Sequence, residues 1–441
     1  MKNKSLPFLI TVLALSTSGC SFDVNKDSES EYEPRIFDLY GEFEDDDYLT
    51  VEGTKIVNQN NETIYLHGIN AGGYLVTESW MCASKLRHRN LEDGTTLNID
   101  HLTLTNTLVR RFGEEKTLQI WDYWRENFWA DHDFVNCKNM NMNVIRLPFS
   151  YMSVDPNYYN VPRIPGDEFN FDILDAFVEG AASHGLYVIL DLHGAYGSQN
   201  GQDHSGQVIG SADQVDFYSN DEKKAKTVHL WEALAEHYKD IPSIAAYDLL
   251  NEPGEKAGST EKRHWDFFDD MYKAIRRIDN KRPLIMESCW DGKDLPQPST
   301  YLWNNVIYSF HNYSGIYNAE ENVQNYTNKI NGVKAQNFNV PYYMGEFNLY
   351  NDENSWKLVL PYMTSNNWHW TSWTYKLNRL DDSKYGGWGI YYTQVENIYF
   401  DVDDFDTIME KIYELDTTCD NVTKMTFDSS VTLETIMRNY C

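Results

Sequence analysis

The sequence predicts a (β/α)8 TIM barrel, an α/β fold, on three observations. Short apolar runs rich in β-branched and aromatic residues recur along the chain, helix-patterned stretches separate them, and the runs number eight. Nearly continuous apolar character over four to eight residues is what strands buried on both faces of a parallel sheet require. A length of 441 residues suits two or three ordinary domains, but barrels exceed that size as single units. An open doubly wound sheet is the competing architecture. Its GxGxxG turn is missing from Ala71-Gly72-Gly73, after the first strand run, so no dinucleotide site is expected.

The amino terminus has the order of a secretory signal: Lys2 and Lys4, an apolar stretch over residues 6–15, then Ser16-Thr17-Ser18-Gly19-Cys20. The small residues ending in Cys20 resemble a bacterial lipobox with Thr17 at its first position. A lipid on Cys20 is therefore expected, with plain secretion as the alternative, and either way the chain is exported. Residues 21–47 carry eleven acids against Lys26 and Arg35 and are expected to extend as a tether. One catalytic domain is expected over residues 48–441.

Lys+Arg total 37 against 67 Asp+Glu, a formal charge of −30. The signal's +2 and the tether's −9 leave −23 on residues 48–441, a sign that excludes nucleic acid as a partner and suits a neutral one. After residue 20 no apolar run reaches the ~18 residues of a spanning helix, so the lipid is the only membrane link expected. The chain is expected to act as a monomer. Five cysteines remain beyond Cys20, an odd number that fits its use for lipid. Cys419 with Cys441 is the simplest pairing, and buried free thiols are the alternative.

Residues 48–57 and 62–66, joined by Asn58-Gln-Asn-Asn61, read as a hairpin leading into the first barrel strand near residues 64–69. The other strand runs cover residues 143–149, 186–192, 244–250, 283–288, 306–310, 342–345 and 369–373. Between them, residues 171–184 and 221–238 repeat apolar positions every three or four, as helices packed on a sheet do. The connection over residues 77–131 is too long for a βα loop. Its helical pieces, 100–112 and 116–128, are expected on the top or side of the barrel.

Polar residues at the carboxyl ends of barrel strands converge on one face. The second run delivers Arg146, the third Asp191 and His193, the fourth Asn251 and Glu252, the sixth His311 and Tyr313, the seventh Glu346 and the eighth Trp373. Two carboxylates among such partners suit cleavage of a glycosidic bond: one gives a proton to the leaving oxygen, and the other attacks the anomeric carbon or activates water. Taken singly, each has an ordinary structural reading as a turn, an ion pair, a core histidine or a packed indole. Their joint placement at successive strand ends is the signal.

Over residues 48–415 the chain resembles the family 5 glycoside hydrolases, cellulase-like retaining enzymes. The matching strings are Asn143-Val-Ile-Arg-Leu-Pro148, Asp191-Leu-His-Gly-Ala-Tyr-Gly-Ser-Gln-Asn-Gly201, Leu250-Asn-Glu-Pro253, His311-Asn-Tyr313, Met344-Gly-Glu-Phe347 and Ser372-Trp-Thr-Tyr-Lys376. The resemblance implies Glu252 as general acid/base and Glu346 as nucleophile, ~5–5.5 Å apart. It implies substrate binding by Arg146, His193, Asn251, His311, Tyr313 and Trp373, with no metal or organic cofactor. Burial and the charge of Glu346 are then expected to raise the pKa of Glu252, while Arg146 and Tyr313 lower that of Glu346.

Residues 70–80 and 194–206 are similar to exo-β-1,3-glucanases, which have Pro where this chain has Ser79 and Tyr196. That similarity implies Glu78 and Trp80 at a terminal sugar. The long insertion and Trp388 are departures, so an endo-acting cleft stays open. The expected substrate is a β-1,3- or β-1,4-linked glucan. A glycolipid head group, as in endoglycoceramidases, is the alternative; a noncatalytic glycan-binding role is disfavoured because both Glu252 and Glu346 are present.

Overall fold

A computed structural model describes residues 35–90, 94, 96–210, 214–254, 263–288, 294–313, 319–379, 387–417, 421–425 and 428–441. Eight parallel strands close a barrel: β1 (His67–Asn70), β2 (Val144–Ser150), β3 (Tyr187–Gly194), β4 (Ile244–Asp248), β5 (Leu284–Glu287), β6 (Val306–Tyr313), β7 (Tyr342–Asn348) and β8 (Trp368–Ser372). Each strand pairs with its sequence neighbour, and β8 closes on β1 through Trp370 to His67 and Ser372 to Ile69. The predicted runs and the observed strands coincide to within a few residues.

Strand alternation divides the core in two. Trp368 and Trp370 of β8 face the helical layer with Phe347 and Trp356, whereas Ile189, Ala246, Ile285, Ile307 and Tyr343 fill the barrel interior. The helices are α1 (His101–Phe128), α2 (Asp131–Asn139), α3 (Asp172–Ala182), α4 (Asp221–Tyr238), α5 (Arg263–Arg276), α6 (Ala319–Lys334), α7 (Glu353–Ser365), α8 (Phe405–Thr417) and α9 (Leu433–Tyr440). None is long and apolar enough to cross a membrane among the described residues.

The two predicted pieces of the insertion form one helix, α1, kinked at Gly113, whose φ of 80° breaks the helical geometry. Asp100 caps its start by accepting from the Thr103 amide. Phe112 meets Phe405 of α8, and Trp121 meets Phe400. The insertion therefore flanks the barrel, and Leu102 ties it to the loop after β3 by donating to the Gly206 carbonyl.

At the amino end of the barrel the expected boundaries change. The hairpin turns at Gly53 (φ 62°), pairing Thr50–Glu52 with Lys55–Val57, and the Asn58–Asn61 cluster makes a second turn. Leu49 and Ile56 are buried against Val144 and Tyr187, which plugs the barrel floor. Residues 36–47, assigned above to an acidic tether, belong to the same compact unit as the barrel. Phe43 packs on Tyr187 at 4.5 Å, and the Glu42 amide donates to the Ala182 carbonyl. Apolar contact and backbone hydrogen bonds there outweigh repulsion among exposed, solvent-screened acids.

Cys82, Cys137 and Cys441 are free thiols, and Cys419, the expected partner of Cys441, lies outside the described residues. Residues 1–34, including the export signal and Cys20, lie outside them as well.

Candidate active site

The site is built upward from Arg146, fully buried in β2. Its Nε donates to Asp248 Oδ2 at 2.9 Å, Nη1 to Glu346 Oε1 at 2.9 Å and to Asn70 Oδ1 at 3.1 Å, and Nη2 to Asn251 Oδ1 at 2.9 Å. Nη2 also lies 3.1 Å from Asp191 Oδ1 and 3.8 Å from Glu287 Oε2. One guanidinium thus faces four carboxyl groups, too many for it to neutralise. Burial, resisted by Arg146 but reinforced by the other acids, pushes Asp191 and Asp248 up to about 7. It drives Glu287, at the end of β5, well above the usual carboxyl range.

Glu346 escapes that rise. Burial opposes its ionisation, but His311 and Arg146 outweigh burial and hold its pKa below the ordinary value. Tyr313 donates to its second oxygen at 2.7 Å, so both oxygens are held. A bulge between Met344 and Glu346 turns the carboxylate into the barrel mouth. Gly345 permits it, since a Cβ there would come within 2.7 Å of Ser309 Oγ.

Glu252 sits in the loop after β4 with φ 39°, a left-handed conformation that non-glycine residues adopt at a cost. The loop after β3 holds it: Gln199 donates to the Asn251 carbonyl at 2.8 Å and Asn200 to that of Glu252 at 3.2 Å. His311 Nδ1 lies 2.9 Å from Glu252 Oε1, and His204 Nε2 lies 3.2 Å from Oε2. Burial raises the pKa of Glu252, yet these two imidazoles outweigh it and bring the carboxyl well below its ordinary value. The expected rise is therefore reversed. On His204, burial is likewise outweighed by Glu252, with Glu78 and Glu346 beyond, and its imidazole is pushed up to about 9.

An oxygen of Glu252 and one of Glu346 lie within 4.8 Å of each other, with a His311 nitrogen inside the same limit. They form the floor of a pocket of about 290 Å³. Trp80, Trp388, Tyr313 and Trp373 wall it, with Trp388 against Trp80 at 5.0 Å and against Tyr313 at 5.3 Å. Glu78 lines the same pocket, accepts from Trp80 Nε1 at 2.8 Å, and is raised by burial to about 7. His193 stacks on Trp373 at 5.4 Å and contacts Asp191 Oδ2 at 2.7 Å; burial keeps its imidazole neutral. The ligand atoms of Glu78, Asp203 and His204, like those of the floor set, are close enough to suit a cation. Of these two sets, Glu78, His204, Glu252 and Glu346 line the pocket.

Of the residues expected to bind substrate, His193, Asn251, Tyr313 and Trp373 line the pocket. Arg146 and His311 do not. Arg146 lies beneath the floor with its donors spent on protein acceptors, and both ring nitrogens of His311 face carboxyl groups. Arg146 contacts Glu346, and His311 contacts Glu252 and Glu346. Asp248, Glu287 and His204 were missed as site residues. A charged residue inside an apolar strand, as Asp248 and Glu287 are, was the available signal.

The family model for cellulases, glycosyl hydrolase family 5, matches residues 107–379. A beta-xylosidase of Phanerodontia chrysosporium is 31% identical over 274 residues, 60% of this chain and 52% of that protein. A probable glucan 1,3-beta-glucosidase A of Neosartorya fischeri is 30% identical over 236 residues, 52% of each chain. The chain thus spans about half the length of these curated relatives. The crystal structure of rutinosidase from Aspergillus niger aligns with a TM-score of 0.56 at 14% identity, covering 80% of this chain and 98% of that one, a likeness of fold.

Proposed function

Because this chain belongs to glycosyl hydrolase family 5 and is a glycoside hydrolase, we propose that it releases terminal glucose from β-linked glucans with retention of configuration. The observation that carries this reading is the pair of carboxyl oxygens within 4.8 Å on the floor of a pocket of about 290 Å³. Retaining enzymes hold their two carboxyl groups close, at ~5–5.5 Å, and facing oxygens within 4.8 Å suit that arrangement and direct attack. The volume is at the small end of ligand sites, fitting one sugar ring rather than a bound chain. The names of the relatives, a β-xylosidase and a glucan β-glucosidase, favour a β-linked terminal sugar.

Glu346, ionised and held at both oxygens, attacks the anomeric carbon while Glu252 passes a proton to the leaving oxygen. Water then attacks the glycosyl ester, giving its proton to Glu252. Asn251 stands beside the acid for the sugar 2-hydroxyl, Trp373 supports the ring, and Glu78 with Trp80 receives the outer hydroxyls. Export, with a lipid on Cys20, would bring this site to extracellular glucan; the support is the charged, apolar and small-residue order of residues 2–20.

The test is digestion of laminarin, mixed-linkage glucan, carboxymethylcellulose, mannan and aryl β-glucosides, with Glu346→Ala as control. Glucose as the first product, in the β configuration by NMR and absent with the variant, is expected. Cleavage of a glycolipid alone would overturn the glucan reading, and long oligosaccharides as first products would overturn exo action.

A further inference from the structure

One end of the pocket stands on irregular backbone. Glu78 and Trp80 come from the loop after β1, and His204 comes from the loop after β3, in a short turn over Asp203–Ser205 that ends at Gly206. Side chains that meet a substrate keep their aim only when something fixes the chain that carries them. Here both loops are held by three successive residues of the long insertion, Asp100, His101 and Leu102, none of which lines the pocket. His101 holds the first loop. It is buried, and its Nδ1 accepts from the Thr77 amide at 3.3 Å, with Thr77 Oγ1 at 3.1 Å. Thr77 immediately precedes Glu78. The ring proton therefore sits on Nε2, which donates to Asn160 Oδ1 at 3.0 Å, and burial lowers the imidazole to about 4, keeping it neutral. Trp121 backs the ring at 4.5 Å. In a straight helix the two residues would lie about 30 Å apart. The break at Gly113 folds the second half of α1 back on the first, and so locks His101 from behind.

Asp100 and Leu102 hold the second loop. The Asp100 carboxylate spends Oδ1 on the Thr103 amide, which caps α1, and Oδ2 on the Val208 amide at 3.0 Å. The Leu102 amide, a first-turn donor with no acceptor inside its own helix, donates to the Gly206 carbonyl at 3.0 Å. Gly206 and Val208 follow His204 by two and four positions. The two loops meet at the pocket, where ligand atoms of Glu78, Asp203 and His204 lie within 4.8 Å of one another.

We propose that Asp100 and His101 are positioning residues that set the affinity of the pocket for the terminal sugar, by clamping the Glu78 loop and the His204 loop to one rigid support. The inference rests on the role given above to Glu78 and Trp80 at the outer hydroxyls, and adds two residues that do not line the pocket. A single support under two walls fixes the gap between them, which strands β1 and β3 leave open because both loops run irregularly beyond the strand ends. Glu346 is held separately, by Arg146 and Tyr313. Loosening the Glu78 wall therefore falls on sugar binding rather than on the attacking carboxylate.

The test splits KM from kcat on an aryl β-glucoside. His101→Leu, which removes the acceptor for the Thr77 amide, is expected to raise KM and the inhibition constant of glucose together by about 10-fold, with kcat changed by no more than about 3-fold, as loss of uniform binding requires. His101→Asn, whose side-chain oxygen can take the Thr77 amide, should recover most of that loss. An unchanged KM in His101→Leu, a fall in kcat alone, or no recovery in His101→Asn would overturn the clamp. Added to Glu78→Ala, His101→Leu should raise KM by less than about 2-fold, because its effect passes through that wall; the full loss in the pair would make His101 merely structural and overturn the clamp too. Asp100→Asn keeps one acceptor where the carboxylate has two, and should raise the inhibition constant of glucose about 5-fold. If His101→Leu does not fold, Asp100→Asn decides alone, and an unchanged constant overturns the clamp. Glu78→Ala separates the two readings: if that variant by itself keeps the wild-type KM, the role of Glu78 at the outer hydroxyls fails, whatever His101 does.

Discussion

Arg146 Nη1 lies 2.9 Å from Glu346 Oε1, across the barrel between β2 and β7, and the guanidinium is wholly shut off from solvent. Glu346 is thus held below the ordinary carboxyl range by His311 and by a cation that does not line the pocket. Replacing Arg146 by Met leaves a nest of buried acids without their cation. A loss of about 3–5 kcal/mol in unfolding free energy is expected by denaturant titration, together with a raised acid-limb pKa in the rate profile.

The same nest predicts a pH effect on stability. Asp191 and Asp248 titrate near 7 in the fold against about 4 when unfolded. Between those values the folded enzyme binds more protons than the unfolded chain, so the two groups subtract stability as pH rises through that window and cost nothing more above it. Asp248→Asn should flatten this fall by up to about 1 kcal/mol per pH unit, read from urea titrations at pH 4.5 to 7. A variant slope as steep as that of the wild type would place the buried protons elsewhere.

Gly345 tests how the nucleophile is aimed. A Cβ there meets Ser309 Oγ at 2.7 Å and His311 Nε2 at 3.1 Å. Gly345→Ala should keep the fold by circular dichroism and lower kcat about 100-fold, because small displacements of a reacting group are costly.

Trp388 closes the pocket through edge contacts with Trp80 and Tyr350 and a tilted one with Tyr313. Trp388→Ala removes a wall without touching either carboxylate. Affinity for terminal glucose should weaken by about 2 kcal/mol, roughly 30-fold in KM, and oligosaccharides should appear among the first products from laminarin. An unchanged product pattern would assign exo action to another wall.

Phe43 reports on the floor plug. It is buried against Tyr187, and Phe43→Ala should destabilise the fold by about 3 kcal/mol with kcat/KM unchanged. A Tm equal to that of the wild type would return residues 36–47 to the role of a loose tether.

Much of this was legible in the chain. Apolar runs of strand length, with helical spacing between them, announced the barrel because burial on both faces acts residue by residue. Arg146, Asn251, Glu252, Tyr313, Glu346 and Trp373 were found because a parallel barrel sends every strand end to one face. Phe43 was misread because a run of acids hid one aromatic anchor. Asp248 and Glu287 stood in plain view inside apolar strands, but nothing local says which cation answers a buried acid.

The sequence by itself determined the architecture and brought Arg146, His193, Asn251, Glu252, His311, Tyr313, Glu346 and Trp373 to one end of it, since periodicity and strand-end position are properties of neighbouring residues. Tertiary structure alone decided that Arg146 and His311 meet carboxyl groups and do not line the pocket, that burial raises Glu287 while His204 and His311 lower Glu252, and that Trp80 and Trp388 meet at one pocket. Those outcomes depend on distances among residues as much as about three hundred positions apart. Coulomb energy, desolvation and hydrogen bonding are set by those distances and not by order along the chain.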